Sequence, residues 1–283
     1  MKPRFRTHLS GSKAFQSFIS PEIEDYNLIV SPKIKTKIDT LDRTFGELDR
    51  RLCSLSDDEV KRLIELEARD SLRLASDVVS NPFAFNLAID NTNEKAIVKA
   101  TEYGAEAMEE LSISGRLIRN IHYLVCEGPD YDKKYRGDFR RSPVWIGRKD
   151  AGLTDAVFIP PLGEDMDRAI VDLEHYINYS DDNAFVKAAV AHYQFEMIHP
   201  FIDANGRVGR LLNTLILLQA GIISKPVLLL SHIIAHDYND YCERIQFVNT
   251  ISDIEIWVDY WLDILLQSAE YSIQVSDNGN AYA

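Results

Sequence analysis

The sequence predicts a mostly α-helical protein with one β-hairpin, and three observations support this fold class. Apolar residues recur at helical spacing over several long segments. The stretch 184–198 is apolar on nearly all sides, as expected for a helix in the centre of a domain. β-prone runs are concentrated in one segment, 144–159, where turn-forming residues separate them. With 283 residues, of which 46% are hydrophobic, the chain can bury a sizeable core.

Two helices are predicted in the N-terminal region, residues 1–92. The first covers 33–53, where apolar residues lie near helical spacing. Ser56 followed by Glu59 has the pattern of a capping box, and it predicts the start of a second helix that runs to about residue 79. Residues 1–20 contain basic residues among Ser and Phe, and we predict that they form a loosely docked arm.

The remaining helices define a predicted core domain, residues 93–270. Apolar residues at helical spacing indicate each helix, and Ser, Asn, Gly or Pro residues mark where it begins and ends. We predict helices at 94–111, 114–126, 184–198, 207–220, 228–235, 238–249 and 254–269. Residues 271–283 lack this pattern, so they are predicted to be a flexible tail.

The predicted hairpin consists of two short β-prone runs on either side of a turn-rich segment. The strand positions are Val144, Trp145, Ile146 and Gly147, then Val157, Phe158 and Ile159. An exposed edge on such a hairpin can pair with an extended segment of another protein. The alternative is a structural hairpin that only covers the core.

The composition indicates which kinds of partner the protein can bind and in which compartment it is found. The formal charge of −13 argues against a nucleic-acid partner held by a general basic field. No stretch reaches the roughly 20 apolar residues of a membrane span, so no membrane partner is expected. Three scattered cysteines, Cys53, Cys126 and Cys242, favour a reducing compartment. Together these observations predict a cytoplasmic protein.

The segment 199–210 concentrates the residues that can carry chemistry. His199 is a candidate base near neutral pH, and Asp203 is an oxygen ligand suited to Mg²⁺. Arg207 and Arg210 are three residues apart at the start of a predicted helix, so they share a face. A helix N-terminus with two arginines can bind phosphate groups. The segment therefore predicts a site for a polyphosphate, the alternative being a helix corner with incidental charges.

This segment resembles the signature of the Fic family, His-x-Phe-x-Asp/Glu-Gly/Ala-Asn-Gly/Lys-Arg-x-x-Arg. His199 to Arg210 matches that pattern position by position. The stretch 137–140 before the hairpin is also similar to the family. The likeness extends over about residues 95–265, and the preceding region resembles the family's helical N-terminal extension. The resemblance implies a Fic-type helical core with one hairpin flap.

The resemblance implies a protein adenylyltransferase, which moves AMP from ATP onto a Ser, Thr or Tyr hydroxyl of a target protein. His199 would be the general base, and Asp203 would hold Mg²⁺. The motif and one aromatic residue near the adenine would bind ATP: Ala204, Asn205, Gly206, Arg207, Val208, Gly209, Arg210 and Tyr241. The hairpin would be the flap that docks the target beside the nucleotide.

An inhibitory helix with the pattern Ser/Thr-x-x-x-Glu-Gly/Asn is common in the family's N-terminal extension. The best match that we find is Ser76 to Asn81, in which Ser80 replaces Glu. A serine hydroxyl binds arginine more weakly than a carboxylate does. We therefore expect Ser76, Ser80 and Asn81 to form a degenerate regulatory segment that inhibits poorly.

Two other functions remain compatible with the motif. A Fic-type loop can transfer another phosphate-containing group when the nucleotide is turned round. The chain could also be a non-catalytic nucleotide-binding module that regulates a partner. The sequence leaves the target, the acceptor residue, the nucleotide preference and assembly as a homodimer open.

Overall fold

The structure, a computed structural model, describes residues 3–77, 91–108, 110–128, 135–147, 152–251 and 253–277. Over these residues it contains ten α-helices and one two-stranded antiparallel sheet, which confirms the mostly α fold class. The elements are β1 Arg4–His8, β2 Phe15–Ile19, α1 Pro32–Ser54, α2 Asp57–Asp77, α3 Asn91–Ala107, α4 Gly115–Val125, α5 Glu164–Tyr179, α6 Ala184–Ile198, α7 Asn205–Gln219, α8 Leu230–His236, α9 Tyr238–Ile251 and α10 Ile254–Asp277. Among the described residues, no helix is long and apolar enough to cross a membrane.

The centre of the fold is the pair α6 and α7, which are buried on most sides. The side chain of Asn183 caps α6 by accepting a hydrogen bond from the backbone N–H of Phe185. Helix α10 covers the pair with two buried tryptophans. Trp257 Nε1 donates to the carbonyl of Ala189 on α6 at 2.7 Å. These contacts fix the two helices whose junction carries the motif.

The helices of the N-terminal region share this core. The predicted capping box is present, since Ser56 N donates to Glu59 Oε2 at 2.9 Å and Glu59 N donates to Ser56 Oγ at 3.4 Å. Helix α1 lies along α10, and Phe45 of α1 packs on Phe185 of α6. Helix α2 contacts α3, α7 and α8. The buried apolar residues of α1 and α2 thus belong to the same cluster as those of α6 and α7.

The N-terminal arm differs from the prediction, because residues 4–19 form the hairpin β1–β2 in register Arg4 with Ile19. Tertiary contacts hold it in place. Phe18 N donates to the carbonyl of Ile159 at 2.8 Å, and Arg6 forms an ion pair with the buried Asp165 of α5. Those partners are more than a hundred residues away, so local sequence carried no sign of them.

Over its described residues, the predicted flap hairpin contains one antiparallel bridge, between Ile146 and Phe158. Ile146 N donates to the carbonyl of Phe158 at 2.8 Å, and Phe158 N donates back at 3.1 Å. Val144 and Ile159, close to the bridge in sequence, are buried, and Phe158 packs against the core. The tip, residues 148–151, lies outside the described residues.

Two further helical segments correct the sequence reading. Helix α5 was not predicted, although it begins with the acidic residues that favour a helix N-terminus. Helix α10 continues through residues 271–277, which were assigned to a flexible tail. Ser272 explains the extension, because its buried hydroxyl donates to the carbonyl of Ser268 and accepts from Leu229 N. These polar contacts replace the apolar pattern that usually marks a buried helix.

Candidate active site

The loop between α6 and α7 turns through two residues in the left-handed region. His199 follows the last turn of α6 with φ of 47°, and Ala204 precedes α7 with φ of 65°. A left-handed residue other than glycine costs about 1–2 kcal/mol. The surrounding structure therefore has to hold this backbone.

Arg140 is the main brace of the loop. Its buried guanidinium donates to the carbonyls of His199 at 2.7 Å, Ile198 at 3.1 Å and Pro161 at 2.7 Å. Its backbone N–H donates to the carbonyl of Pro200 at 2.9 Å. Burial lowers the pKa of Arg140 to about 10, so the side chain keeps its charge at neutral pH. The family likeness at 137–140 was the one sequence feature that pointed towards this residue.

Two polar side chains complete the support. Asn205 exchanges two hydrogen bonds with the backbone of Phe201, accepting at 2.9 Å and donating at 3.0 Å. The ring of His122 stacks on Phe201, with centroids 3.8 Å apart. His122 Nδ1 accepts from Gly137 N, which places its proton on Nε2, facing the carbonyl of Asp203 at 3.3 Å. The side chain of Asn205 thus shapes the loop, and only its backbone N–H remains for a phosphate.

His199 is suited to accept a proton. Its Nδ1 lies 3.3 Å from the carbonyl oxygen of Glu196, which can only accept, so Nδ1 carries the hydrogen and Nε2 has a free lone pair. Burial, and then the charge of Arg140, lower the pKa of His199 to about 4. The ring is therefore neutral at physiological pH, as a general base must be.

Asp203 has one carboxylate oxygen in use and one without a partner. Oδ1 accepts from Ala204 N at 2.5 Å and from Arg207 Nη2 at 3.2 Å. Oδ2 is buried and has no hydrogen-bond partner among the described residues. A buried carboxylate oxygen needs a partner, and a hard cation such as Mg²⁺ is a suitable one. Asp203 thus fits the predicted metal.

The two arginines of the motif are buried but make different contacts. Arg207 pairs with Asp203 inside the loop. Arg210 reaches back to α2, where its Nη2 donates to Ser71 Oγ at 2.7 Å and its Nε donates to the same oxygen at 3.2 Å. Burial lowers the pKa of Arg210. The N-terminal region therefore controls the position of the last arginine of the motif through Ser71, which the sequence reading missed.

The predicted regulatory residues are not tested by these contacts. Ser76 belongs to the last turn of α2, but its side chain lies outside the described residues, as do Ser80 and Asn81. A pattern that begins at Ser71 instead of Ser76 has Ala75 at its Glu position. The contact between Ser71 and Arg210 places this part of α2 beside the last arginine of the motif, so position 75 is a second candidate for the regulatory residue.

One cavity brings together the loop, the flap and α9. The motif contributes His199, Asp203, Ala204, Asn205, Gly206, Arg207 and Arg210. The flap contributes Trp145, Ile146, Gly147, Val157 and Phe158. Helix α9 contributes Tyr241 and a row of polar residues that includes Asn239 and Gln246. Residues far apart in sequence therefore surround a single space.

Other predicted site residues lie in the packing behind that space. Val208 faces the core, and Gly209 lies against α6, where a Cβ would come within 2.6 Å of Glu196 Oε1. Both residues pack α7 against α6, and their role in ATP binding stays a prediction. Tyr241 lines the cavity, and a hydrogen bond of 3.0 Å between its hydroxyl and His192 Nε2 holds the ring in place.

Residues 112–217 match the Fic/DOC family. This segment of the chain is therefore similar to the Fic/DOC family. Over 139 residues the chain is 33% identical to the Protein adenylyltransferase Fic of Drosophila grimshawi. The aligned residues cover 47% of this chain and 26% of that protein. The protein of the same name from Aedes aegypti is 36% identical over 110 residues, which cover 38% of this chain and 20% of the relative. The chain thus matches about a quarter of the length of these relatives.

Solved structures show the same fold. A Fic family protein from Desulfovibrio desulfuricans G20 superposes with a TM-score of 0.64 at 21% identity, covering 88% of this chain and 76% of the other. Fic-1 from C. elegans, residues 134–508, superposes with a TM-score of 0.59 at 18% identity, covering 87% and 74%. The Fic-type helical core is therefore confirmed.

Proposed function

We propose that this Fic domain is a protein adenylyltransferase, which transfers AMP from ATP to a Ser, Thr or Tyr hydroxyl of a target protein. One observation carries the proposal. A single cavity holds an unprotonated ring nitrogen at His199, an unpartnered oxygen at Asp203 and the N-terminus of α7 with its arginines. The names of the relatives from Drosophila grimshawi and Aedes aegypti support the same activity.

The reaction uses the two sides of the motif for different tasks. The proton of the acceptor hydroxyl passes to Nε2 of His199 as the oxygen bonds to the α-phosphorus of ATP. The bond between the α-phosphorus and the bridging oxygen then breaks, and pyrophosphate leaves. The N–H groups at the start of α7 and Arg207 hold the phosphates, while Arg210 holds the γ-phosphate.

Asp203 would hold Mg²⁺ through the oxygen that has no protein partner. An ion held there by Asp203 would supply neutralisation of the charge that develops on the phosphates. Asp203→Ala should therefore lower transfer by about a hundredfold or more, since this contribution is worth several kcal/mol. The measurement is transfer at rising Mg²⁺ concentration. Full wild-type activity in excess chelator would contradict the metal assignment.

The flap is the proposed docking site for the target. Ile146 is 40% exposed and Val157 is 64% exposed, and both line the cavity mouth. An extended segment of the target can add beside this short bridge through main-chain hydrogen bonds. That arrangement would bring the acceptor hydroxyl towards His199.

Labelled ATP tests the transferred group. Label carried to protein from the α-phosphate alone indicates transfer of AMP. Label carried from the γ-phosphate alone indicates phosphate transfer, and it would overturn the proposal. The wild type is compared with His199→Ala, which keeps the phosphate ligands but lacks the base.

The location and the assembly predicted from the sequence are kept here as proposals. Cys53, Cys126 and Cys242 are all free thiols, which agrees with the cytoplasmic location proposed here. A homodimer stays a prediction, and light scattering of the full chain would test it.

A further inference from the structure

Glu196 is a buried carboxyl group beside the proposed base, and the family motif does not include it. It lies in the last turn of α6, three residues before His199, with 11% of its side chain exposed. Its Oε2 is 3.8 Å from His199 Nδ1. Its Oε1 is buried and has no hydrogen-bond partner among the described residues. Burying an unsatisfied carboxyl group is costly, so this arrangement calls for a role.

We propose that Glu196 is a positioning residue that acts through His199, an inference that rests on the transferase function above. The backbone carbonyl of Glu196 keeps the hydrogen of His199 on Nδ1, so the free lone pair lies on Nε2. The carboxylate of the same residue lies beside Nδ1 and acts on the ring through its charge. When Nε2 takes the proton of the acceptor hydroxyl, the ring becomes positively charged. The carboxylate of Glu196 stabilises that charge across the short distance to Nδ1.

The close contact between α6 and α7 keeps the carboxyl group in this place. The space that a side chain at position 209 would fill is occupied by Oε1 of Glu196, since a Cβ on Gly209 would lie 2.6 Å from it. Gly209 therefore makes room for the carboxyl group in the interface of the two helices. The group cannot turn towards water without leaving this interface.

Several charged or titratable groups face Glu196. They are His199 from the loop, Arg210 from α7, and Tyr238, Tyr241 and Cys242 from α9. Burial raises the pKa of Glu196 to about 7, and the charge of Arg210 opposes that rise. Burial also raises the pKa values of Tyr238, Tyr241 and Cys242. Among these groups, Glu196 is the one that changes charge near neutral pH.

The sign of the pH dependence follows from the two pKa values. Below about pH 7 Glu196 is protonated and gives His199 no charge support. Above that pH the carboxylate forms and supports the base, so transfer should rise as the pH passes through 7. His199 itself, with a pKa of about 4, is already neutral throughout this range. Glutamine at position 196 imitates the protonated form at every pH.

A magnetic resonance experiment tests the contact without any activity. Histidine labelled with ¹³C and ¹⁵N is introduced into the full chain, and His199→Asn identifies the His199 signals among those of the seven histidines. In the wild type, the His199 signals should show the Nδ1–H form and should shift with a midpoint near pH 7. The same step should be missing in Glu196→Gln. A step that persists in Glu196→Gln would overturn the proposal.

Glu67 provides a matched control. It is another carboxyl group near Arg210, burial raises its pKa to about 8, and it accepts hydrogen bonds from Ser231. Glu67→Gln removes a second carboxyl group that interacts with Arg210. This variant should keep the step in the His199 signals. If the pH step in the His199 signals is lost in Glu67→Gln and kept in Glu196→Gln, the titrating group is Glu67. That result would contradict the proposal.

A kinetic experiment tests the effect on transfer, with incorporation of AMP from α-labelled ATP into the chain itself as the measurement. The ratio of wild type to Glu196→Gln should be near one at about pH 6 and about tenfold at about pH 9, since an opposite charge this close shifts a pKa by at least about one unit. The effect should fall on the maximal rate. A constant ratio, or a change confined to the KM for ATP, would show that Glu196 serves Arg210 instead.

The two proposals can fail separately. Absence of AMP incorporation by the wild type at every pH would count against the transferase function, and the magnetic resonance result would still decide the link between Glu196 and His199. Thermal melting of each variant at both pH values shows whether the fold is intact. A variant that is unfolded at one pH is compared only at the other, where the proposal predicts a defined ratio.

Discussion

The cavity has two walls that differ in how their backbone is held. On the loop wall, Arg140 donates to the carbonyls of Ile198 and His199, and the ring of His122 and the side chain of Asn205 give further support to the backbone. On the flap wall, one bridge between Ile146 and Phe158 joins the described residues, and the side chains of Ile146 and Val157 are exposed. The same space is thus bounded by a rigid surface and an open one.

This difference matches the division of tasks in the proposed reaction. Bond transfer requires a base and phosphate ligands at fixed positions, because small displacements cost large factors in rate. Docking of a target requires unpaired backbone groups at an edge. Changes on the loop wall should therefore affect rate or stability strongly, and changes on the flap should affect target binding weakly.

The largest effect is expected for His199→Ala. Without the base, transfer should fall by a factor on the order of 10² to 10⁴. ATP binding, measured by calorimetry, should remain because the phosphate ligands are unchanged. Transfer at the wild-type rate would show that His199 is not the base.

The next effect concerns the stability of the loop wall. Arg140→Met leaves four carbonyl oxygens, among them those of His199 and Pro161, without their buried donor. Because each buried unsatisfied group costs about 1–3 kcal/mol, the free energy of unfolding should fall by about 3 kcal/mol or more. Denaturant unfolding measures this loss. Arg141→Met, at an exposed neighbour, is the control and should leave the unfolding midpoint unchanged.

A smaller effect distinguishes the two registers of the regulatory segment. Position 75 is one helical turn after Ser71, on the same face of α2, so Ala75→Glu should bring a carboxylate towards Arg210. A charge-assisted bond of about 1.5–3 kcal/mol corresponds to a loss of roughly ten- to a hundredfold in productive ATP binding.

The comparison of Glu with Gln isolates the charge in that experiment. Ala75→Gln should inhibit far less than Ala75→Glu when incorporation from α-labelled ATP is measured. Ser80→Glu and Ser80→Gln form the matched pair for the original register. Inhibition by Ser80→Glu alone would confirm Ser80 as the regulatory position and reject Ala75.

The smallest effect is expected on the flap wall. Ile146→Ala removes an exposed side chain and keeps the backbone bridge to Phe158. The KM for a target protein should rise by less than about tenfold, since truncating one partly exposed contact typically costs around 1 kcal/mol. Unfolding and the KM for ATP should not change. A large loss of stability would instead assign the flap a purely structural role.

Sequence patterns predicted the helices whose positions are determined by residues within the same segment. The capping box at Ser56, the apolar helix at 184–198 and the helical spacing of α1 all have the positions expected of them. The patterns failed where distant residues decide the outcome. The hairpin β1–β2 depends on Ile159 and Asp165, and the end of α10 depends on Leu229, so neither could be read from its own segment.

The sequence by itself determined the fold class and the chemistry of the motif, because both depend on residue types at fixed short spacing. Only the tertiary structure decided which groups act on those residues. It placed Arg140 under the loop, Ser71 against Arg210 and Glu196 beside His199. Proton affinity and the direction of a buried guanidinium depend on desolvation and on partners within about 4 Å, which the chain assembles from separate helices.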